Sequence, residues 1–572
     1  MMLLYRQLTK QMLKNRLFMV LIVILTILTS LSFFFVRFTI DGNVDRVAAI
    51  TANGGDAARY QAALNSNTTL ALSFFAAMTA LTAFVFFIFF YRFFRSGRKQ
   101  IGCLKALGFR NASLQIYFVV FTAALSLLGG LIGLGLAYPL SGVLLGANIE
   151  AYGVSGVVKA LSAGSILFGL LASTACFALV AFLCYGFVKN REPAGLISGN
   201  ISSGAFSRTL RTADVIAGAV PVKNKFPIRI ALRKPLAILL VIVGVMSFST
   251  LIIMAYSLNI SSAKVFASQT KGHNYEYITR YQESMSAGSL PADDMRILSE
   301  TGKVIDGETE IEHNIAGLYG VDSLYELMDE DDKLLSVPDR GYAYIGPGLK
   351  EVYGIKTGDK ITADVSGVGV ELEVAGIAVN AQSDSIYMNG NELCSTLGLA
   401  EGTYNMLLSM SLPEQEGETV SRSQRVGLLE RDAVSNQISG VINQITGAAV
   451  GCILIFLALY MNFQDNTRDM LILHLMGYNT KEIRKMLIDV YRPMVWLAYI
   501  ITLLPAVLMV RSIQKSLSVT TGDYMPFGTN VPVILFAAFF LTLLYQLVQL
   551  VFSGAIRQVI KKEDIAEYTY VD

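Results

Sequence analysis

The sequence predicts an α-helical polytopic membrane protein: eight transmembrane helices as two four-helix repeats, with one α+β extracytoplasmic domain. Three observations carry this. Of 572 residues, 53% are hydrophobic and only 16% charged, which excludes an ordinary soluble chain. Eight uncharged apolar runs approach the roughly 20 helical residues needed to cross a hydrocarbon core. A short basic amphipathic segment also occurs twice, each time wedged between two such runs.

The runs lie near residues 17–36, 69–91, 115–138, 164–187, 236–258, 443–463, 493–510 and 531–553. Basic residues concentrate in alternate connections. Arg6, Lys10, Lys14 and Arg16 precede the first span, and Arg92, Arg95, Arg98, Lys99, Lys105 and Arg110 follow the second. Residues 189–234 carry nine Lys and Arg. Arg468, Lys481, Arg484 and Lys485 follow the sixth span, and Arg557, Lys561 and Lys562 the eighth. The intervening short loops near 37–68, 139–163 and 511–530 are poor in both types. The positive-inside rule then puts both termini and both basic segments in the cytoplasm. The first run is too long, and lacks the small-residue site, for a cleavable signal. The single tryptophan is Trp496, so interfacial belts fall to tyrosine.

The organisation follows from these runs. Residues 1–187 form a first four-span unit with a hairpin at 92–116, and 188–225 form a Gly/Ser-rich flexible linker. An elbow helix and the fifth span occupy 226–258, and 259–442 form the outer domain. The last three spans, with a second hairpin at 462–486 and a short cytosolic tail, complete 443–572. Amphipathic lead-ins at Tyr5–Asn15 and Phe226–Lys234 echo each other through Leu13-Lys14 and Leu232-Arg233. In the outer domain, Tyr275–Thr279, Ala343–Ile345, Lys360–Val365 and Val370–Ala378 alternate as strands, and Asp322–Leu335 is predicted helical. Glu430–Ile442 is predicted to lead helically into the sixth span.

In the first hairpin, Ile101, Leu104 and Leu107 recur at helical spacing among Lys99, Lys105 and Arg110, and Gly108 is the expected C′ stop. Leu104-Lys-Ala-Leu-Gly-Phe109 aligns position for position with Leu473-His-Leu-Met-Gly-Tyr478. Asn479 with Glu482 then forms a predicted capping box for the next helix. Lys99-Gln-Ile-Gly-Cys-Leu-Lys-Ala-Leu-Gly108 resembles the segment after the second span of FtsX/MacB-type permeases of ABC transporters. Arg468-Asp-Met-Leu-Ile-Leu-His-Leu-Met-Gly477 resembles it more distantly, with Leu471 for the inner glycine and His474 for the basic residue. Gly354-Ile-Lys-Thr-Gly-Asp-Lys-Ile361 and Leu372-Glu-Val-Ala-Gly-Ile377 resemble strands of that family's extracytoplasmic domains, and by themselves read as a plain β-hairpin framework.

The resemblance implies a permease subunit in a bacterial cytoplasmic membrane, two FtsX-like halves fused in one chain, coupled to a dimer of a cytosolic ABC ATPase. The hairpin residues expected to engage that ATPase are Lys99, Ile101, Leu104, Lys105, Leu107 and Gly108, with Arg468, Met470, Leu473, His474, Met476 and Gly477 in the second copy. The implied action is export or extracytoplasmic movement of a peptide, antibiotic or lipid-like substrate. The alternative is a relay to a sensor kinase, cell-wall hydrolase or other envelope protein without net transport. Membrane lipid is the other expected contact, and no nucleic-acid partner is expected.

The chain itself is expected to be non-catalytic. It has no Gly-x-x-x-x-Gly-Lys-[Ser/Thr] phosphate cradle, so ATP and Mg are expected in the partner and no cofactor here. His273, His313 and His474 are scattered, and no catalytic triad or metal spacing appears. The five cysteines include only Cys394 in the outer domain, so no disulfide can form within it. Nearly uncharged spans argue against an ion-coupled carrier. Gln546 and Gln549, Thr26, Thr29 and Ser30, and Gly129, Gly130, Gly133 and Gly135 are expected to pack helices. In the outer domain, acids outnumber bases about two to one, and Asp329, Glu330, Asp331 and Asp332 form a candidate patch for a cationic ligand such as an antimicrobial peptide.

Overall fold

A computed structural model describes residues 8–9, 12, 16–51, 57–152, 154–198, 235–286, 294–306, 309–320, 323–465, 467–487, 489, 491–521 and 524–561. The lead-in Phe226–Lys234, all but Leu8, Thr9 and Met12 of the lead-in Tyr5–Asn15, and most of the 188–225 linker lie outside these residues. Eight helices among them are long and apolar enough to cross a membrane. The chain divides into two compact units, Met1–Ala255 with Val441–Val510 and Asn530–Asp572, and Tyr256–Gly440 with Arg511–Thr529.

The first half comprises α1 (Arg16–Ile40), α2 (Ala57–Ser96), α3 (Arg98–Ala106), α4 (Asn111–Tyr152), α5 (Ala163–Lys189) and α6 (Pro193–Ser198). Here α3 is the first hairpin's helix, and α1, α2, α4 and α5 are the spans. Small residues let α1 and α4 meet at backbone distance. A Cβ on Gly129 would fall 1.9 Å from Thr26 Oγ1, and one on Gly133 would fall 2.6 Å from the Ile27 carbonyl oxygen. Gly130 faces Leu170, whereas a Cβ on Gly135 would meet nothing within 4 Å, so only three of these four glycines serve packing. The polar groups of α1 are satisfied inside the bundle: Ser30 Oγ donates to the Gly130 carbonyl at 2.8 Å, and Thr29 Oγ1 pairs with Thr82 Oγ1 at 2.9 Å. Phe33, Phe34 and Phe75 form an aromatic core beside Ala71 and Ala137.

The spans run past the apolar stretches. Pro139 lies inside α4, whose 42 residues reach about 60 Å at 1.5 Å per residue. The loop expected at 139–163 is therefore helical as far as Tyr152. The end of α1 is tied down by polar contacts: Asn43 exchanges hydrogen bonds with the Val158 backbone, and Asp41 accepts from Ser162 while pairing with Arg37 at 2.9 Å.

The second half is α7 (Pro235–Thr270), then the sheet domain, then α9 (Arg422–Asp465), α10 (Thr467–Leu475), α11 (Thr480–Leu487), α12 (Tyr491–Thr521) and α13 (Val531–Lys561). The helical lead-in to the sixth span begins at Arg422, eight residues before the predicted Glu430. Gly244, Gly447 and Gly451 bring α7 and α9 together, with Cβ positions 2.7–2.9 Å from Leu454, Leu251 and Phe248.

The sheet has nine strands in the order β3-β7-β4-β6-β5-β2-β8-β1-β9. They are β1 (Tyr277–Met285), β2 (Met295–Asp306), β3 (Thr309–Leu318), β4 (Tyr342–Ile345), β5 (Lys360–Val365), β6 (Val368–Ile377), β7 (Ser385–Asn389), β8 (Tyr404–Ser409) and β9 (Glu418–Ser421). The predicted 360–365 strand coincides with β5, and the 343–345 and 370–378 predictions fall on β4 and β6. One face is filled by Leu298, Val304, Ile315, Ile361, Val374 and Ile386, over which α8 (Gly390–Leu397) packs Leu393 and the free thiol Cys394.

The helix predicted over 322–335 does not form; Asp322 is outside the described residues. The segment instead makes turns and isolated bridges, Met328 opposite Leu334 and Tyr325 opposite His273. Asp329 Oδ1 accepts from the backbone N–H of Asp331 and Lys333, and Asp332 adopts φ 61°. A short acidic side chain bonding its own backbone competes with helix, and four consecutive acids repel one another in it.

The 511–530 connection is also more than a short loop, since Arg511–Thr529 belongs to the sheet domain's unit. Ser257 Oγ donates to Gln514 Oε1 at 2.9 Å and accepts from the Gly528 N–H at 3.2 Å.

Candidate coupling hairpins

Each hairpin begins where a span ends and is stopped by one glycine. In the first, Phe109 N–H donates to Leu104 O at 3.2 Å and Gly108 N–H to Lys105 O at 3.0 Å. In the second, Tyr478 N–H donates to Leu473 O at 3.1 Å and Gly477 N–H to His474 O at 2.9 Å. This paired six-to-one and five-to-two bonding is the Schellman cap, which needs a left-handed residue at its fifth position. Gly108 and Gly477 supply it, at φ 85° and 92°. The predicted capping box forms as well: Asn479 Oδ1 accepts from Glu482 N–H at 3.0 Å, and Glu482 Oε2 from Asn479 N–H at 2.9 Å.

Equivalent positions share the same environment in both copies. Ile101 and Met470 are buried at 2% and 0% exposure, and Leu104 and Leu473 are half-buried. Leu107 and Met476 stand out at 74% and 68%. Beside them, Cys103 and Ile472 are exposed, as are Ala106 and Leu475. Lys99 is exposed on α3, and Arg468 lies in α10. The apolar face expected to engage a partner is thus split. Its first residue packs inward, and its last, with the flanking 103/472 and 106/475 positions, forms the outward surface.

Lys105 is committed within the chain. Its Nζ donates to the carbonyls of Val188, Lys189 and Arg191 at 2.8, 2.9 and 3.0 Å. Val188 and Lys189 are the last residues of α5 and Arg191 lies just beyond it, so the ammonium sits at the negative end of the helix dipole. Burial lowers the Lys105 pKa from its ordinary value. The residue expected to steer a partner instead fastens the first hairpin to the fourth span. Gly102 lets α6 lie against α3, since a Cβ there would be 2.9 Å from Ile197 and 3.0 Å from Leu196. Leu471 occupies the matching position in the second copy.

The second hairpin is fastened differently. Arg484 on α11 donates to Ser553 Oγ at 3.0 Å and faces Asp489 at 3.6 Å, and Asp489 accepts from Gln549 of α13. His474 Nδ1 lies 3.4 Å from the Tyr478 carbonyl of its own hairpin. Gln549 therefore ties α13 to the turn between α11 and α12 rather than to a neighbouring helix, and Gln546, which is exposed, does not share that role. Sequence reasoning missed Arg484, Asp489 and α6. The capping box of α11 gave the position of Arg484 but not its distant partner.

The acidic tetrad is largely compensated. Asp332 pairs with Lys271, Glu330 with Lys350 and Asp331 with Lys333, and Asp329 caps backbone N–H groups. Among the described residues no group of three His, Cys, Asp or Glu could hold a metal ion.

Residues 72–193 and 445–559 match the FtsX-like permease C-terminal family, one match over each hairpin and its spans. No curated protein matches the chain. Among solved structures, the extracellular domain of the noncanonic ABC-type transporter YknZ from Gram-positive bacteria is similar over 27% of this chain and 88% of that one. Its identity is 13% and its TM-score 0.17, a likeness that carries no argument.

Proposed function

From a chain whose residues 72–193 and 445–559 both belong to the FtsX-like permease C-terminal family, we propose a transmembrane subunit that couples a separate cytosolic ABC ATPase to work across the membrane. The two hairpins face the cytosol, and each lodges its exposed apolar tip on one ATPase subunit. The observation that carries this is the duplication itself: two dissimilar sequences keep one cap geometry and one exposed pair, Leu107 and Met476. Loop topology alone accounts for the basic residues but not for that repeat.

In this reading ATP and Mg are held by an ATPase dimer, and one copy of this chain serves the pair. Closure of the dimer moves the hairpins; Lys105 passes the motion to α5, and the Arg484–Asp489–Gln549 contacts pass it to α13. Counting spans puts the sheet domain on the opposite membrane face, where it would act on a peptide, antibiotic or lipid-like substrate. The compensated tetrad at 329–332 leaves little free charge for a cationic ligand, so the proposal rests on the hairpins.

The test is co-purification from native membranes of the chain and of a Leu107→Asp/Met476→Asp double variant. Both side chains are exposed, so the fold should survive. An ATPase retained by the native chain and lost from the double variant at unchanged thermal stability is expected. Retention by the variant would refute the docking surface.

A further inference from the structure

Between α12 and α13 is a shallow surface cleft, with enclosed room for about one water molecule, lined by Arg492, Val495, Trp496, Leu541, Thr542 and Tyr545. From the cleft's position and chemistry we infer a binding site for one anionic phospholipid, in the leaflet on the hairpin side.

Depth is the first argument. Arg492 is the second residue of α12, and the 18 residues from Pro493 to Val510 carry no charge before Arg511. At 1.5 Å per residue they span about 27 Å, close to the hydrocarbon thickness of about 30 Å. Arg492 and Arg511 thus mark the two edges of the hydrocarbon, and the Arg492 guanidinium stands at phosphate level.

Polarity is the second. One turn deeper, on the same face, stands Trp496, 40% exposed and the only tryptophan in the chain. Indole at that depth suits the glycerol region, where amphipathic rings gather. Thr542 brings a hydroxyl to the same wall, and Val495 and Leu541 line it below. Ile500 and Leu504, at 66% and 67% exposure, extend the apolar stripe deeper along α12, where an acyl chain would lie. Cation, aromatic ring and aliphatic groove therefore follow one another in the order of a phospholipid's own parts.

Charge is the third. The nearby acid, Asp489, already faces Arg484 and accepts from Gln549. Among the described residues of the cleft and its edge, Arg484, Asp489 and Arg492 together carry one net positive charge, with Asp489 engaged by Arg484 and Arg492 turned to the cleft. This selects an anionic headgroup over a zwitterionic one by about fivefold, the worth of one arginine at a membrane surface.

Because Trp496 is the sole tryptophan, its fluorescence reports this cleft alone. The full chain is placed in phosphatidylcholine nanodiscs carrying equal mole fractions of brominated phosphatidylglycerol or brominated phosphatidylcholine. Quenching by the brominated anionic lipid should half-saturate at about fivefold lower mole fraction. Arg492→Gln should erase that difference and Arg492→Lys should keep it. Equal quenching by the two lipids in the native chain, a comparison that needs no variant, would overturn the inference. So would an Arg492→Gln protein that keeps the preference. Millimolar inorganic phosphate should not relieve the quenching; relief would assign the site to free phosphate and overturn the lipid reading.

Discussion

Replacing Lys105 with methionine keeps the length and apolar stem of the side chain while removing three charge-assisted hydrogen bonds. A hydrogen bond to a charged group contributes roughly 1.5–3 kcal/mol, but one ammonium in three bonds gives up water that it would otherwise hold. Its half-exposed setting lowers the figure further, so about 2–3 kcal/mol is a reasonable total, including the dipole contribution of α5. That energy fastens α3 to the end of α5, and its loss frees the hairpin without unfolding the bundle. Since about 1.4 kcal/mol is a factor of ten, amide exchange in residues 98–110 and 185–191 should speed up by roughly 30- to 150-fold. Hydrogen-exchange mass spectrometry on the detergent-solubilised chain reads this directly, with the α10 hairpin as internal control. Lys105→Arg should restore most of the protection. Unchanged exchange in Lys105→Met would show that the three carbonyls do not hold the hairpin, and would refute its role in passing motion to the fourth span.

Three further outcomes follow from the packing. Gly108→Ala and Gly477→Ala each force an L-residue to positive φ in open space, so each should cost about 1–2 kcal/mol, seen as faster exchange in its own hairpin only. Gly129→Ala overpacks the α1–α4 contact and should lower thermal stability by about 1–3 kcal/mol, whereas Gly135→Ala should be silent. In the sheet domain, burial holds His273 and His313 at a pKa of about 4, against an ordinary 6.5, with both at most 4% exposed. The unfolded chain takes up these protons first as pH falls, so stability is lost from about pH 6.5 down to about pH 4. The loss at pH 5 is about 2 kcal/mol per histidine, read as a lower denaturation midpoint by tyrosine near-UV circular dichroism, and His313→Phe should remove about half of it.

What the sequence reveals and what it hides divide along physical lines. Spans, hairpins, the Gly108 and Gly477 stops and the Asn479–Glu482 box are encoded locally, within one helical turn of each residue, and all are legible in the order of the amino acids. So are β4, β5 and β6, whose alternation is regular. The partner of Lys105 is not, because the α5 carbonyls lie more than 80 residues away in the chain. A basic residue on a basic hairpin gives no hint that it is spoken for. Ile101 and Leu107 look equivalent by periodicity, yet one is buried and the other exposed, a difference set by tertiary packing rather than by the spacing. Asp322–Leu335 misled because its apolar spacing is helical while the capping chemistry of Asp329 is not.

The most direct test of the central claim uses the exposed thiol of Cys103 and a new one at Ile472→Cys, its equivalent in the second hairpin. A short bifunctional thiol cross-linker is applied to native membranes, and the adducts are identified by mass spectrometry. Twin hairpins docked on an ATPase dimer predict a nucleotide-binding ATPase cross-linked from both positions, with yield changing on ATP addition. Adducts to no ATPase from either position would contradict the coupling account.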